Sequence, residues 1–111
     1  MRRVQRLTRR SDFEHVRTGG IRASDRLFII GAGRSDIETT RFGLAVSRRV
    51  GGAVIRNRLK RRIRAVLDSL PFSKGWNVVV SARPAAAEAS YREIEASLQR
   101  LGARLDLLST D

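Results

Sequence analysis

The side chains that most often move protons, attack phosphorus or hold metals are nearly missing from this sequence. His15 is its single histidine, cysteine is absent, and the 11 carboxylates are scattered over loops and the last helical stretch without a close pair. No orienting partner for His15 is evident, so it reads as an ordinary, partly exposed residue. No run has the spacing of a metal-ligand set. Hydrolysis by the polypeptide itself is therefore not expected, and no catalytic or metal-holding residue is assigned. Arginine supplies a different chemistry: a planar fork of donors suited to phosphate and to base edges. The 111 residues carry 23 Lys and Arg and a net charge of +12, with a pI near 11.8, which points to a polyanionic partner.

Those cations are concentrated. Residues 41–70 read RFGLAVSRRVGGAVIRNRLKRRIRAVLDSL, with nine Lys and Arg before the first acid, Asp68. Turning 100° per residue from Ile55, the residues Val66, Leu59, Leu70 and Ile63 fall with it inside an arc of about 80°, one apolar face. Asn57, Lys60, Arg61 and Arg64 fall on the opposite side, with Arg56, Arg58 and Arg62 on the shoulders. The spacing thus predicts a core-docked helix displaying a cationic ridge. Any one of these arginines read alone fits a solvated helix face. As a set they repel one another, which costs stability unless an anion offsets it. Gly51 and Gly52 break the chain before the helix, and the free N–H groups of Ala53 and Val54 there favour a phosphate. No DNA-reading motif accompanies the charge.

Other segments of the chain supply the frame around this helix. Residues 1–10 hold five Arg and no acid and read as a flexible basic arm, either a solvated tail or a nucleic-acid contact. Ser11 and Glu14 have capping-box spacing and Gly19-Gly20 is a stop, so a short helix is expected over 12–18 with Phe13 and Val16 as its apolar residues. From Ile21 to Ser47 the pattern is strand-like, with RSDIETT as a polar connection. Phe42, Leu44 and Val46 alternate with Gly43, Ala45 and Ser47, one bulky face and one nearly bare. The bare face suits either close packing under a helix or an open trough for an extended strand of nucleic acid. The basic helix ends near Leu70 at Pro71. GWNVVVSA is a buried-looking strand. An alanine-rich stretch leads to a second capping box, Ser90 and Glu93, and a last helix with the stripe Ile94, Leu98, Leu101, Leu105 and Leu108. The order is α-β-β-(β)-α-β-α, an α+β sandwich of one small sheet with helices, and the length allows one domain, 11–108, after the arm. No apolar run is long enough to span a membrane, and the start has no signal-peptide core. The lack of cysteine fits a reducing cytoplasm.

The run GLAVSRRVGGAVIRNRLKRRIR closely resembles the signature of the bacterial ribonuclease P protein family, whose motif is R-N-R-x-K-R-x-x-R after V-S-[KR]-[KR]-V-G-x-A-V. The likeness extends, more loosely, from Leu7 to Leu105. Ala65 and Asn77 depart from the acids often found at those positions, which puts in doubt the salt bridges those acids make. The resemblance implies an αβββαβα fold related to the second domain of ribosomal protein S5, with a left-handed β-α-β crossover against the usual right-handed preference. It implies that Arg48, Arg49, Arg56, Asn57, Arg58, Lys60, Arg61 and Arg64 face the catalytic RNA subunit. It further implies that the region between the first helix and the sheet takes the single-stranded 5′ leader of precursor tRNA, through Phe13, Arg17, Gly43, Ala45 and Ser47.

Phe13 matches the family's D-F aromatic and either stacks on a leader nucleotide or belongs to the core. Arg17 and Gly31 stand where some relatives keep bulky or aromatic residues, so stacking is thinner here and phosphate contact by Arg17 compensates. On this reading the protein assists tRNA 5′ maturation by screening phosphate repulsion and helping to retain Mg²⁺, bound mainly through RNA phosphates, with no organic cofactor. The alternative from the residues is a structural ribosomal or general RNA-binding protein without a processing role. A self-sufficient nuclease is a third reading, one that requires cleavage by RNA-free protein.

Overall fold

The strand-like stretches assemble into one mixed sheet in the computed structural model, which describes residues 5–109. Its strands are β1 (Gln5–Arg6), β2 (Ile21–Ser24), β3 (Phe28–Arg34), β4 (Arg41–Ala45) and β5 (Trp76–Ala82), in the order β1-β4-β5-β3-β2. β2 and β5 each lie antiparallel to β3, whereas β4 is parallel to β5 and β1 parallel to β4. The helices are α1 (Arg10–Gly19), α2 (Ala53–Ser69) and α3 (Tyr91–Arg104), the last preceded by a 3-10 turn over Pro84–Glu88. α2 is the connection between the neighbouring parallel strands β4 and β5.

Strand alternation decides where each helix goes. Phe28, Ile30, Ala32, Phe42, Val78 and Val80 join Leu59, Ile63, Val66 and Leu67 of α2 and Ile94, Leu98 and Leu101 of α3 in one core. The other sheet face presents Gly31, Gly33, Gly43 and Val79, and α1 lies over it with Val16 beside Gly31 and Gly33 and Phe13 on Gly43. The apolar arc expected on α2 is the buried one: Leu59, Ile63, Val66 and Leu70 are buried and Ile55 packs at the margin, with Leu67 added. The capping box of α3 is formed, the Ser90 hydroxyl accepting from the Glu93 N–H at 3.1 Å and the Glu93 carboxylate from the Ser90 N–H at 2.8 Å.

Several expectations are corrected. The basic arm is not an arm from Gln5 onward: Gln5 and Arg6 pair with Arg41 and Phe42, the Leu7 N–H donates to the Phe42 carbonyl at 2.8 Å, and Leu7 is buried. The free edge of β4 and an apolar Leu7 outweigh the solvation of the flanking arginines, so the domain begins before residue 11. Residues 1–4 of that expected arm lie outside the described residues. The first capping box does not form either. α1 starts at Arg10, one residue before Ser11, with no side-chain cap, and Glu14 turns to Arg17 instead. α3 ends at Arg104; Asp106, at φ 59°, turns the chain back so that Leu107 enters the core and Leu108 bridges to Phe72. The end of the apolar stripe is therefore a reversed chain rather than a helix.

Candidate nucleic-acid interface

Burial of one side of α2 leaves its other side to solvent. Asn57, Arg58 and Arg61 are exposed, and Arg56, Lys60 and Arg64 are half-buried along the flanks. Arg48 and Arg49 are exposed in the turn before the helix, where the Val50 and Gly51 N–H groups donate to the Ser47 and Arg48 carbonyls. Among the described residues no carboxylate pairs with any of these cations; the ion pairs lie elsewhere. The Arg56 Nε is buried with no hydrogen-bond partner. Arg62 differs from its neighbours, since one Nη donates to the Ala89 carbonyl at 3.4 Å and ties α2 to the start of α3.

The ridge does not stop at the helix. Where β1 ends, the edge of β4 opens into a small cavity of about 140 Å³ lined by Arg6, Lys60 and Arg64 together with Phe13 and Gly43. Burial and the nearby charge of Arg6 push the Arg64 guanidinium below its ordinary pKa. Lys60 and Arg64 of the ridge thus line one cavity with Phe13. A larger hollow of about 330 Å³, between the start of β4 and the end of α2, is lined in part by Glu38 and Asp68, whose carboxylates disfavour phosphate.

On the far side of Phe13 runs a groove of about 320 Å³ between α1 and the sheet. Strand register builds its floor in rows. Arg22, Gly31, Val79 and Gly43 are partners across four strands, and Ser24, Ile29, Ser81 and Ala45 form the next row. The two readings of the bare face divide by position. Phe13 lies so close on Gly43 that no Cβ fits there, so this part is close packing, while Ala45 and Ser81 line the open groove. Phe13 and Arg17 flank that groove as expected; Ser47 lies past the end of β4, exposed in the connection to α2, and does not line it. Arg17 is exposed and pairs with Glu14 at 2.6 Å, which holds the Glu14 carboxyl below its usual range.

A polar brace fixes α1 over the sheet. Arg41 donates through Nε and Nη2 to the Asn77 Oδ1 at 3.3 and 3.2 Å and lies 3.6 Å from the Asp12 carboxylate. Asn77 therefore keeps an acceptor for Arg41, and Asp12 supplies the charge. His15 is exposed on α1. The described residues contain no cluster of three His, Asp or Glu able to hold a metal ion, and no helix among them is long and apolar enough to cross a membrane.

Residues 1–106 match the family model described as Ribonuclease P. The chain belongs to the ribonuclease P protein family. The ribonuclease P protein component of Dehalococcoides mccartyi is 36% identical over 109 residues, spanning 98% of this chain and 91% of that one. That of Acidothermus cellulolyticus is 41% identical over 106 residues, covering 90% and 87%. Among solved structures, the Staphylococcus aureus RNase P protein matches with a TM-score of 0.86 at 25% identity over 96% of this chain and 99% of its own. The Thermotoga maritima RNase P protein matches with a TM-score of 0.76 over 86% and 93%.

In this member of the family, ridge and groove are contiguous, joined through the cavity of Lys60, Arg64 and Phe13. Arg22 and Ser81 line the groove with no motif in the sequence to mark them, while Arg6 is marked only through the nucleic-acid reading of the basic arm. For Arg22 the signal was the alternation Ile21-Arg22-Ala23, but only strand pairing tells that it shares a row with Gly31.

Proposed function

We propose that this chain is the protein subunit of a ribonuclease P holoenzyme, acting in tRNA 5′ maturation beside an RNA subunit that carries the chemistry. The observation that supports this reading most strongly is the α2 ridge, whose cations have no carboxylate partner among the described residues and which continues into a groove beside an aromatic ring. Uncompensated, half-desolvated cations on a rigid helix suit a folded polyanion. Arg48, Arg49, Arg56, Asn57, Arg58, Lys60, Arg61 and Arg64 face the RNA subunit. The groove along Phe13, Arg17, Ala45 and Ser81 takes the single-stranded leader of precursor tRNA, with Gly43 admitting the ring of Phe13 from below.

Mg²⁺ supplies charge neutralisation at the scissile phosphate when bound. With no cluster of carboxylates among the described residues to hold it, its ligands come mainly from RNA phosphates, and the protein's cations lower the repulsion between the strands that bring those phosphates together. The cytoplasm is the compartment consistent with this substrate. The test is cleavage of precursor tRNA by ribonuclease P RNA at low Mg²⁺, with and without the protein. Rescue of cleavage by the protein is expected. Equal rates, or cleavage by the protein without RNA, overturn the assignment.

A further inference from the structure

Two arginines stand at the groove beyond Phe13, and they are placed differently. Arg17 projects from the last turn of α1, and its Nη2 lies 2.6 Å from a Glu14 carboxylate oxygen. Arg22 belongs to β2, opposite Gly31 in register, so it shares the α1 face of the sheet. Its Nη2 donates to the Arg17 carbonyl at 3.3 Å, and no carboxylate pairs with it among the described residues. Both side chains line the groove and both residues are exposed. The floor between them and Ala45 consists of Gly31, Ile29 and Val79, with the Ser81 hydroxyl as its one polar side chain. Such a floor offers bases little to hydrogen-bond, whereas the wall offers two forks for phosphate oxygens.

A carboxylate in an arginine fork presents two oxygens much as a phosphate does. The Glu14–Arg17 pair is solvent-exposed, with side chains 49% and 69% accessible, and exposed pairs of this kind are weak and readily exchanged. We infer that Arg17 and Arg22 form a phosphate seat for the leader strand, and that Glu14 is an intramolecular competitor occupying Arg17 until a leader phosphate displaces it. This rests on the reading of the groove as the leader site and adds what that part of it recognises: backbone charge rather than base identity. The contact between helix and edge strand positions the two forks together, through the hydrogen bond from Arg22 to the Arg17 carbonyl.

The experiment measures affinity of the reconstituted holoenzyme for precursor and mature tRNA at low and moderate salt, and reads the ratio of the two. Glu14→Gln is expected to raise the precursor-to-mature ratio about two- to fivefold at low salt, because it removes the competitor. Arg22→Gln is expected to lower it about threefold or more and to reduce the salt dependence of precursor binding. A leader with neutral methylphosphonate linkages should erase the Glu14→Gln gain, while changing the leader's bases should leave that gain intact. Thermal unfolding of each free variant separates loss of fold from loss of contact. An unchanged ratio in Glu14→Gln and Arg22→Gln, with Phe13→Ala still lowering it, overturns the seat and leaves the leader groove standing. A gain that survives neutral linkages overturns the competitor role. A wild-type ratio of one overturns the leader reading itself.

Discussion

Ile63 and Arg62 are adjacent in sequence and opposite in role. The Ile63 side chain is fully buried between α2 and the sheet, so Ile63→Asp places an unpaired charge in the core and should cost about 3 kcal/mol or more, unfolding the domain. Arg62→Asp removes one long hydrogen bond to the Ala89 carbonyl and should cost about 1 kcal/mol or less, leaving a folded circular dichroism spectrum. A second residue, Asp25, carries pH dependence. Burial works against its charge, but hydrogen bonds from Ser97, the Phe28 and Leu27 N–H groups and Arg100 outweigh it and hold the carboxyl at about 2, against an ordinary 3.8. The folded state thus binds this proton less readily than the unfolded state. Stability from Asp25 is full above pH 3.8 and is lost as the pH falls through about 2. Denaturant unfolding should show an acid-labile component of about 1–2 kcal/mol that is missing in Asp25→Asn. The turn from Asp25 to the Leu27 and Phe28 N–H groups is local, but Ser97 and Arg100 come from more than seventy positions away, and no sequence pattern joins them to it.

At the scale of elements, legibility followed periodicity. α2 could be read from Ile55, Leu59, Ile63 and Val66 because one face of a helix repeats within a short window, and the same repeat put Asn57 and Arg61 outside. The α3 cap was legible since its partners are three residues apart; Ser90→Ala should lower stability by about 1 kcal/mol in thermal or denaturant unfolding. The same spacing misled at Ser11 and Glu14, where the helix begins at Arg10, two residues before the expected start, and the carboxylate finds Arg17. β1 was illegible for a further reason. Two residues carry no period, and their pairing with β4 depends on an edge that exists only once the sheet is formed. The division of the bare face between Phe13-covered Gly43 and open Ala45 likewise depends on where α1 comes to rest.

For the whole molecule, the charge distribution becomes a measurable slope. Asn57→Ala and Arg61→Ala should weaken assembly with the RNA subunit while leaving the fold intact, since both residues are exposed. If Arg61 contacts one phosphate, its loss should reduce the magnitude of the salt slope of RNA binding by ~0.7–0.9, and the neutral Asn57 should change affinity with a smaller change in slope. The sheet itself works as a divider: α2 and α3 consolidate one side, and α1 rests on the other by few side chains over glycine. The height of α1 is therefore adjustable from beneath. A methyl group introduced as Gly43→Ala acts as a shim under the Phe13 ring, forcing ring or helix to lift without deleting either, and so changes the gauge of the channel while its chemistry stays the same.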